Sequence, residues 1–356
     1  MAITGNKGEW SETYAFLKLL ADGKLFAADE QLNHIQDMFF PIMKIIREET
    51  VGTVYEYCPN SDNAEIEIYL NDNRLLSLST ATFDAEANYL FRKINNNSGA
   101  FEVVRTETFI RSIYMTRLKA PATDKSDINI QIHDVNTGYE NIVGFSIKSE
   151  LGSPPTLLNA GRTTNFIYEV VGLETQHINT INAIDTRTKI IDRMKAIADN
   201  GGRLVFQGME NETFKNNLIM IDSQMPTIVA EMLSGYYSGT ATDCAGLTDY
   251  VSQVNPLSRN ADFYKHKIKE MLCAIALGMK PATRWDGTDE ASGGYIIVKT
   301  NGDVLAYHLY NRDAFRSYLL NNTKLERGST SRHDFGTLYE TDDKIKINLN
   351  LQIRFT

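Results

Sequence analysis

Residues 127–148 constrain this chain more than any other stretch. Asp127, Asn129, Gln131 and His133 alternate with Ile128, Ile130 and Ile132. A period of two is the pattern of a half-buried strand. Asn136, Thr137 and Gly138 follow with turn chemistry, because glycine takes φ > 0 without steric cost. Residues 142–150 then read as a returning strand. Phe145 and Ile147 face one side of it, and Ser146, Lys148 and Glu150 face the other. The hairpin therefore brings an acid, Asp127, and a lysine, Lys148, onto one sheet.

A carboxylate and a lysine placed in this way are the core of a metal-dependent phosphodiesterase. The carboxylate holds Mg²⁺, which polarises the phosphate and supplies a hydroxide. The lysine orients the nucleophile or neutralises developing negative charge. By spacing alone the pattern is weak, since an acid followed some way on by a lysine is common. The fuller pattern, PD-(D/E)xK, has a second carboxylate two residues before the lysine, and here that position is Ser146. Serine is a poor Mg²⁺ ligand, because magnesium wants hard anionic oxygens. A second carboxylate must come from elsewhere. Glu150 suits a salt bridge at least as well as a metal. Residues 9–22 read as a first helix, and Glu9 and Glu12 share a face of its first turn. Acids there also suit the helix dipole. K-G-x-x-x-E in this run resembles the first-helix element of several nucleases in which a helical glutamate reaches the metal, so Glu12, ahead of Glu9, is the candidate.

Composition narrows the alternatives. The chain has 356 residues, enough for one large domain or two, and 42% hydrophobic content for a core. No run approaches the length of a membrane span, and the first residues lack an apolar signal-peptide stretch. Cys58, Cys244 and Cys273 form no C-x-x-C pair, so neither a zinc site nor a disulfide framework is expected. These features together lead us to expect a soluble, cytoplasmic protein. The six histidines are scattered without an H-E-x-x-H, and no G-x-S-x-G, Walker loop or G-x-G-x-x-G occurs. The net charge of −9 argues mildly against a polyanionic partner. Two locally basic stretches, Arg259 to Arg284 and Arg312 to His333, keep DNA open, because DNA responds to patches.

The remaining periodicities predict an α/β (α+β) fold with a mixed central sheet flanked by helices. Residues 54–57, 64–70, 101–105, 165–171 and 203–207 read as strands. Residues 84–94, 106–118 and 188–198 read as helices, and 156–160 as a short one. Pro41 argues against a central strand at 35–46 unless it sits at an edge or a bulge. Residues 212–279 are helical nearly throughout. Asn301-Gly302 marks a hairpin joining 295–300 to 304–310. Three domains follow in chain order. Residues 1–175 form a nuclease core and 176–290 a mainly helical DNA clamp or dimer contact. Residues 291–356 supply C-terminal strands and a helix with a possible recognition role.

Several blocks resemble the HpaII family of type II restriction endonucleases. They include N-K-G-E-W-S-E at 6–12, D-K-S-D-I at 124–128, G-F-S-I-K-S-E-L-G-S-P-P-T-L-L-N-A at 144–160, S-R-H-D-F-G at 331–336 and L-N-L-Q-I-R-F at 349–355. The resemblance implies a restriction-endonuclease-like core and Mg²⁺-dependent cleavage of duplex DNA at the palindrome 5′-CCGG-3′. It also implies a cognate DNA cytosine methyltransferase that protects host DNA, and it carries Asp127 and Lys148 as catalytic, with Ser146 departing from the pattern. Reading CCGG needs donors for guanine and acceptors for cytosine N4 in the major groove. Asn159, Arg162, Thr163, Thr164 and Asn165 are one candidate DNA-binding set, and Arg332, His333, Gln352 and Arg354 a second. A palindrome is matched most simply by a homodimer. Two alternatives remain at this point: a DNA-binding module on the same fold that has lost catalysis, which Ser146 suggests, and a structure-selective repair nuclease.

Overall fold

The computed structural model describes residues 2–119, 126–134, 138, 140–308 and 311–356. The chain divides into two compact units, each discontinuous in sequence. The first comprises Met1–Pro155 and Asp289–Phe315, and the second Thr156–Thr288 and Arg316–Thr356. The expected boundaries near 175 and 290 follow chain order. In the structure, a hairpin from late in the chain returns to the first unit.

That hairpin completes a nine-stranded mixed sheet. Its order is Lys24–Ala28, Val304–His308, Gly294–Val298, Glu140–Ser149, Ile128–His133, His34–Thr50, Thr53–Asn60, Glu65–Leu70 and Asn73–Ser79. Gly294–Val298 runs parallel to Glu140–Ser149, with Ile297 opposite Lys148. Ile128–His133 pairs antiparallel on the other side, with Ile128 opposite Phe145. Both neighbours hold the lysine strand in register. The alternation read from sequence holds: Ile128, Ile130, Ile132, Phe145 and Ile147 are buried. Gly138 has the expected positive φ of 73°, while Asn136 and Thr137 lie outside the described residues.

Pro41 lies inside the seventeen-residue strand His34–Thr50. The strand tolerates it because its partner changes there. Up to Pro41 it pairs with Lys24–Ala28, and from Ile42 with Ile128–His133, with a register shift just beyond. A missing N–H costs little where the ladder is already interrupted.

The helix Lys7–Asp22 packs on this sheet and on the helix Thr80–Asn96. Trp10, Ala15, Leu17 and Leu20 are fully buried on its apolar face, and Trp10 Nε1 donates to the Phe101 carbonyl at 3.0 Å. Asn6 caps its start and Gly23 its end, the latter at φ 63°. This end-to-end fixing sets where Glu12 stands.

The second unit holds the four-stranded sheet Arg203–Met209, Asn165–Val171, Lys344–Asn350 and Leu338–Thr341. The helices Glu212–Ile221, Met225–Tyr237, Cys244–Val254 and Ala261–Ala276 belong to the same unit. The short helix expected at 156–160 is instead the strand Thr156–Leu158. It pairs with Ile353–Phe355 near the end of the chain, a partner that no local pattern announces. Among the described residues no helix is long and apolar enough to cross a membrane.

Candidate active site

The mouth of the hairpin builds the site. Asp127 precedes its strand, and its backbone N–H donates to the Phe145 carbonyl at 2.9 Å. Its carboxylate turns onto the next strand, where Oδ2 accepts from the Ile147 N–H at 2.7 Å and from Ser146 Oγ at 3.0 Å. Lys148 Nζ donates to Ser146 Oγ at 2.9 Å and to the Ile147 carbonyl at 3.2 Å. Lysine, serine and aspartate thus form a short relay, with the two charges 3.9 Å apart. Ser146 bridges the pair and does not supply the missing acid. Lys148 also lies 5.4 Å from the centre of the Tyr295 ring, a cation–π contact that steadies it.

Two glycines permit this geometry. A Cβ on Gly144 would stand 2.6 Å from Ser126 Oγ and 2.7 Å from Ser126 Cβ. A Cβ on Gly293 would stand 2.7 Å from the Phe145 ring. Only a bare backbone fits at either point.

The first helix contributes differently from its two glutamates. Glu9 is committed to the fold. Its Oε2 accepts from the Asn6 backbone N–H at 2.8 Å, completing a capping box, and Oε1 pairs with Lys119 at 3.2 Å. The Asn6 hydrogen bond, ahead of Lys119, holds its carboxyl below the usual range. Glu12 has no hydrogen-bond or ion-pair partner among the described residues. Burial pushes its pKa up to about 8, the Asp127 carboxylate adds to the rise, and Lys119, Lys148 and Arg47 oppose it. The two carboxylates are therefore close enough to feel each other's charge, and Glu12 has no hydrogen bond among the described residues. The pattern Asn6-x-x-Glu9 is a capping signature and could have set Glu9 apart from sequence alone.

Supporting residues appear that sequence reading missed. Ser149 Oγ donates to Ser11 Oγ at 2.8 Å, and Ser11 Oγ to the Lys7 carbonyl at 2.7 Å. These links tie the lysine strand to the glutamate helix. Arg47 binds the carbonyls of Arg117 and Lys119 and pairs with Glu49, fastening the segment that carries Lys119. Glu12 and Lys148 open into a cleft of about 660 Å³ that Lys7, Ser98, Ser149 and Ser153 also line.

The profile of the HpaII restriction endonuclease family matches residues 6–355. The chain is also 41% identical to the type II restriction enzyme HpaII of Haemophilus parainfluenzae over 360 aligned positions, which cover 99% of each chain. The chain belongs to the HpaII restriction endonuclease family. It is a type II site-specific deoxyribonuclease acting on double-stranded DNA. This membership displaces the two alternatives, a catalytically dead DNA-binding module and a repair nuclease. No solved structure matches the chain.

In this family member the DNA-binding candidates all lie in the second unit. Arg162 is exposed, and pairs with Glu210 at 2.8 Å and Asp334 at 3.6 Å. Asn159 and Arg332 are exposed, and Arg332 has no partner among the described residues. Thr163, His333 and Gln352 are half-buried. Arg354, also half-buried, pairs with Glu326 at 2.9 Å. Thr164 and Asn165 are fully buried. Asn165 Nδ2 donates to Glu210 and to the His333 carbonyl, and its Oδ1 accepts from Asn350. Thr164 Oγ1 donates to the Gly161 carbonyl. In this conformation these two hold their loop and are out of reach of a base. Of the basic stretches, Lys267, Arg312 and Arg316 are neutralised by Asp222, Asp289 and Glu270.

Proposed function

We propose that this restriction endonuclease cuts 5′-CCGG-3′ in duplex DNA by Mg²⁺-dependent hydrolysis, leaving 5′-phosphates. The observation that carries the reading is the juxtaposition of Glu12, free of partners, with the Asp127–Ser146–Lys148 relay. Among the described residues no group of three or more His, Cys, Asp or Glu side chains is arranged to hold a metal. Two carboxylates suffice for magnesium, which keeps several waters and takes further oxygens from a substrate phosphate. A half-buried carboxylate with no hydrogen bond, its pKa raised by desolvation and then by a neighbouring acid, fits such a cation. Asp127 and Glu12 would hold it, and there it would polarise the scissile phosphate and favour hydroxide at neutral pH.

The protein's own groups do the rest. The Ile147 N–H and Ser146 Oγ lock one oxygen of Asp127, which fixes the direction of the other. Lys148, anchored through Ser146, presents an ammonium to the attacking water and to charge developing on the phosphate. For recognition, Arg162, Asn159 and Arg332 are the exposed candidates for base contacts, and Thr163, His333, Gln352 and Arg354 stand behind them. The enzyme acts in the cytoplasm as a homodimer, two copies matching the two strands of the palindrome, and a cytosine methyltransferase is its genetic partner. The helices between 212 and 279 serve as a DNA clamp or dimer contact.

Cleavage of matched fragments with and without CCGG, in Mg²⁺ or EDTA, tests the reading. The expected result is cutting only of the CCGG fragment and only with the metal. Equal cutting of both fragments, or cutting in EDTA, overturns it. Asp127→Ala and Lys148→Ala are each expected to abolish cutting while leaving binding measurable.

A further inference from the structure

We infer that Lys7 is a substrate-positioning residue that holds a DNA phosphate next to the scissile one; this rests on the reading of Glu12, Asp127 and Lys148 as the cutting site. Lys7, Glu12 and Lys148 line one cleft. Lys148 is committed to Ser146, to the Ile147 carbonyl and to Asp127. The Lys7 ammonium has no hydrogen-bond or ion-pair partner among the described residues, although the residue is half-buried. Its stem is nevertheless placed. A Cβ on Gly152 would touch Lys7 Cβ at 3.4 Å and Cδ at 4.0 Å, so the side chain lies along the Gly152 backbone. Its own carbonyl is held by Ser11, which is held in turn by Ser149 of the catalytic strand. An ammonium placed by its stem in a cleft shared with the catalytic groups, and paired with no acid among the described residues, is suited to an anion brought by the substrate.

The spacing agrees. Lys7 and Glu12 are five positions apart on one helix, about 7.5 Å along its axis at 1.5 Å per residue. Phosphates on one strand rise about 3.4 Å apiece along the duplex. Lys7 therefore addresses a phosphate one or two steps from the bond being cut. Lysine suits the task as a compact point charge. The contact carries no sequence information and fixes register.

The test is a substitution cycle with the full-length enzyme. Lys7→Met is expected to weaken binding of the fragment that the wild type cuts by about tenfold, uniformly across flanking sequences, and to reduce the salt slope of log K by about one. Lys7→Arg is expected to keep the slope. Single methylphosphonates, which lack the phosphate charge, are then placed one and two steps on either side of the scissile bond. At one position the wild type should lose as much as Lys7→Met does, and Lys7→Met should lose nothing more. Additive losses at every position, or an unchanged salt slope, overturn the inference. Thermal denaturation of Lys7→Met separates misfolding from a lost contact: if it melts early, Lys7→Arg and the methylphosphonate scan on the wild type decide. If the wild type itself cuts no CCGG fragment, the proposed recognition site fails. If the wild type cuts and the cycle is additive, only the role of Lys7 fails.

Discussion

Replacing Gly144 by alanine is expected to damage catalysis without touching a catalytic residue. The added Cβ would stand 2.6 Å from Ser126 Oγ and 2.7 Å from Ser126 Cβ, with Asn129 Oδ1 at 3.1 Å. Rotation of the serine moves Oγ away but leaves Cβ where it is, so the backbone at Ser126 must shift. Overpacking of this kind costs about 1–3 kcal/mol, which lowers the Tm by roughly 2–12 °C in a unit of this size. The functional cost is larger in proportion. Asp127 is the next residue, and its carboxylate is aimed by bonds of 2.7 and 3.0 Å to Ile147 and Ser146. A displacement near 1 Å in such a constellation lowers kcat by about a hundredfold. Single-turnover cleavage of a duplex carrying the proposed CCGG site and a melting curve measure both effects. Ser126→Gly, added to Gly144→Ala, removes the clashing atoms and is expected to restore most of the rate and Tm, short of the lost Ser126–Asn129 hydrogen bond. A single variant that cuts at the wild-type rate, or a double variant no better than the single one, refutes the reasoning.

The two helical glutamates should separate cleanly. Glu12→Gln is expected to abolish cleavage, whereas Glu9→Gln keeps the rate and loses about 1 kcal/mol of stability through its cap, as denaturant titration would report. Ser146→Ala leaves Asp127 and Lys148 without their bridge, so kcat should fall by about ten- to a hundredfold with KM nearly constant; an unchanged kcat would remove Ser146 from the mechanism. Cys58 is the half-buried cysteine, and burial raises its thiol to about 11. A raised folded pKa favours the protonated thiol, so its stabilisation is complete below pH 9 and fades as pH climbs towards 11. Thiol labelling of the native protein at pH 8 should accordingly be slow at Cys58, and rapid labelling there would contradict the burial.

The hairpin was readable from sequence because period-two alternation is local, and it places Asp127 and Lys148 together. Elements whose partners are distant in sequence were not readable. Thr156–Leu158 is a strand only because Ile353–Phe355 comes to it, and Lys24–Ala28 because it lies between Val304–His308 and His34–Thr50. Pro41 allowed a strand only at an edge or a bulge, and the change of partner that accommodates it was not readable because it is a property of the whole sheet. Within the site, residue types gave the acid and the lysine. The serine bridge and the isolation of Glu12 depend on directions of side chains that no spacing encodes. Burial likewise set Thr164 and Asn165 apart from their exposed neighbours Asn159 and Arg162, although all four read alike as polar loop.

The order of the central sheet has a consequence for how the enzyme is made. The lysine strand Glu140–Ser149 has one neighbour just before it in the chain, but the other, Gly294–Val298, is translated only after the stretch Thr156–Thr288. Throughout that interval the lysine strand presents an unpaired edge, and Tyr295 is not yet there to seat Lys148. A nascent chain therefore carries the acids and the lysine of the candidate site long before it has the sheet that holds them in place. For a nuclease, late completion of the sheet sets the synthesis of these side chains apart in time from their assembly.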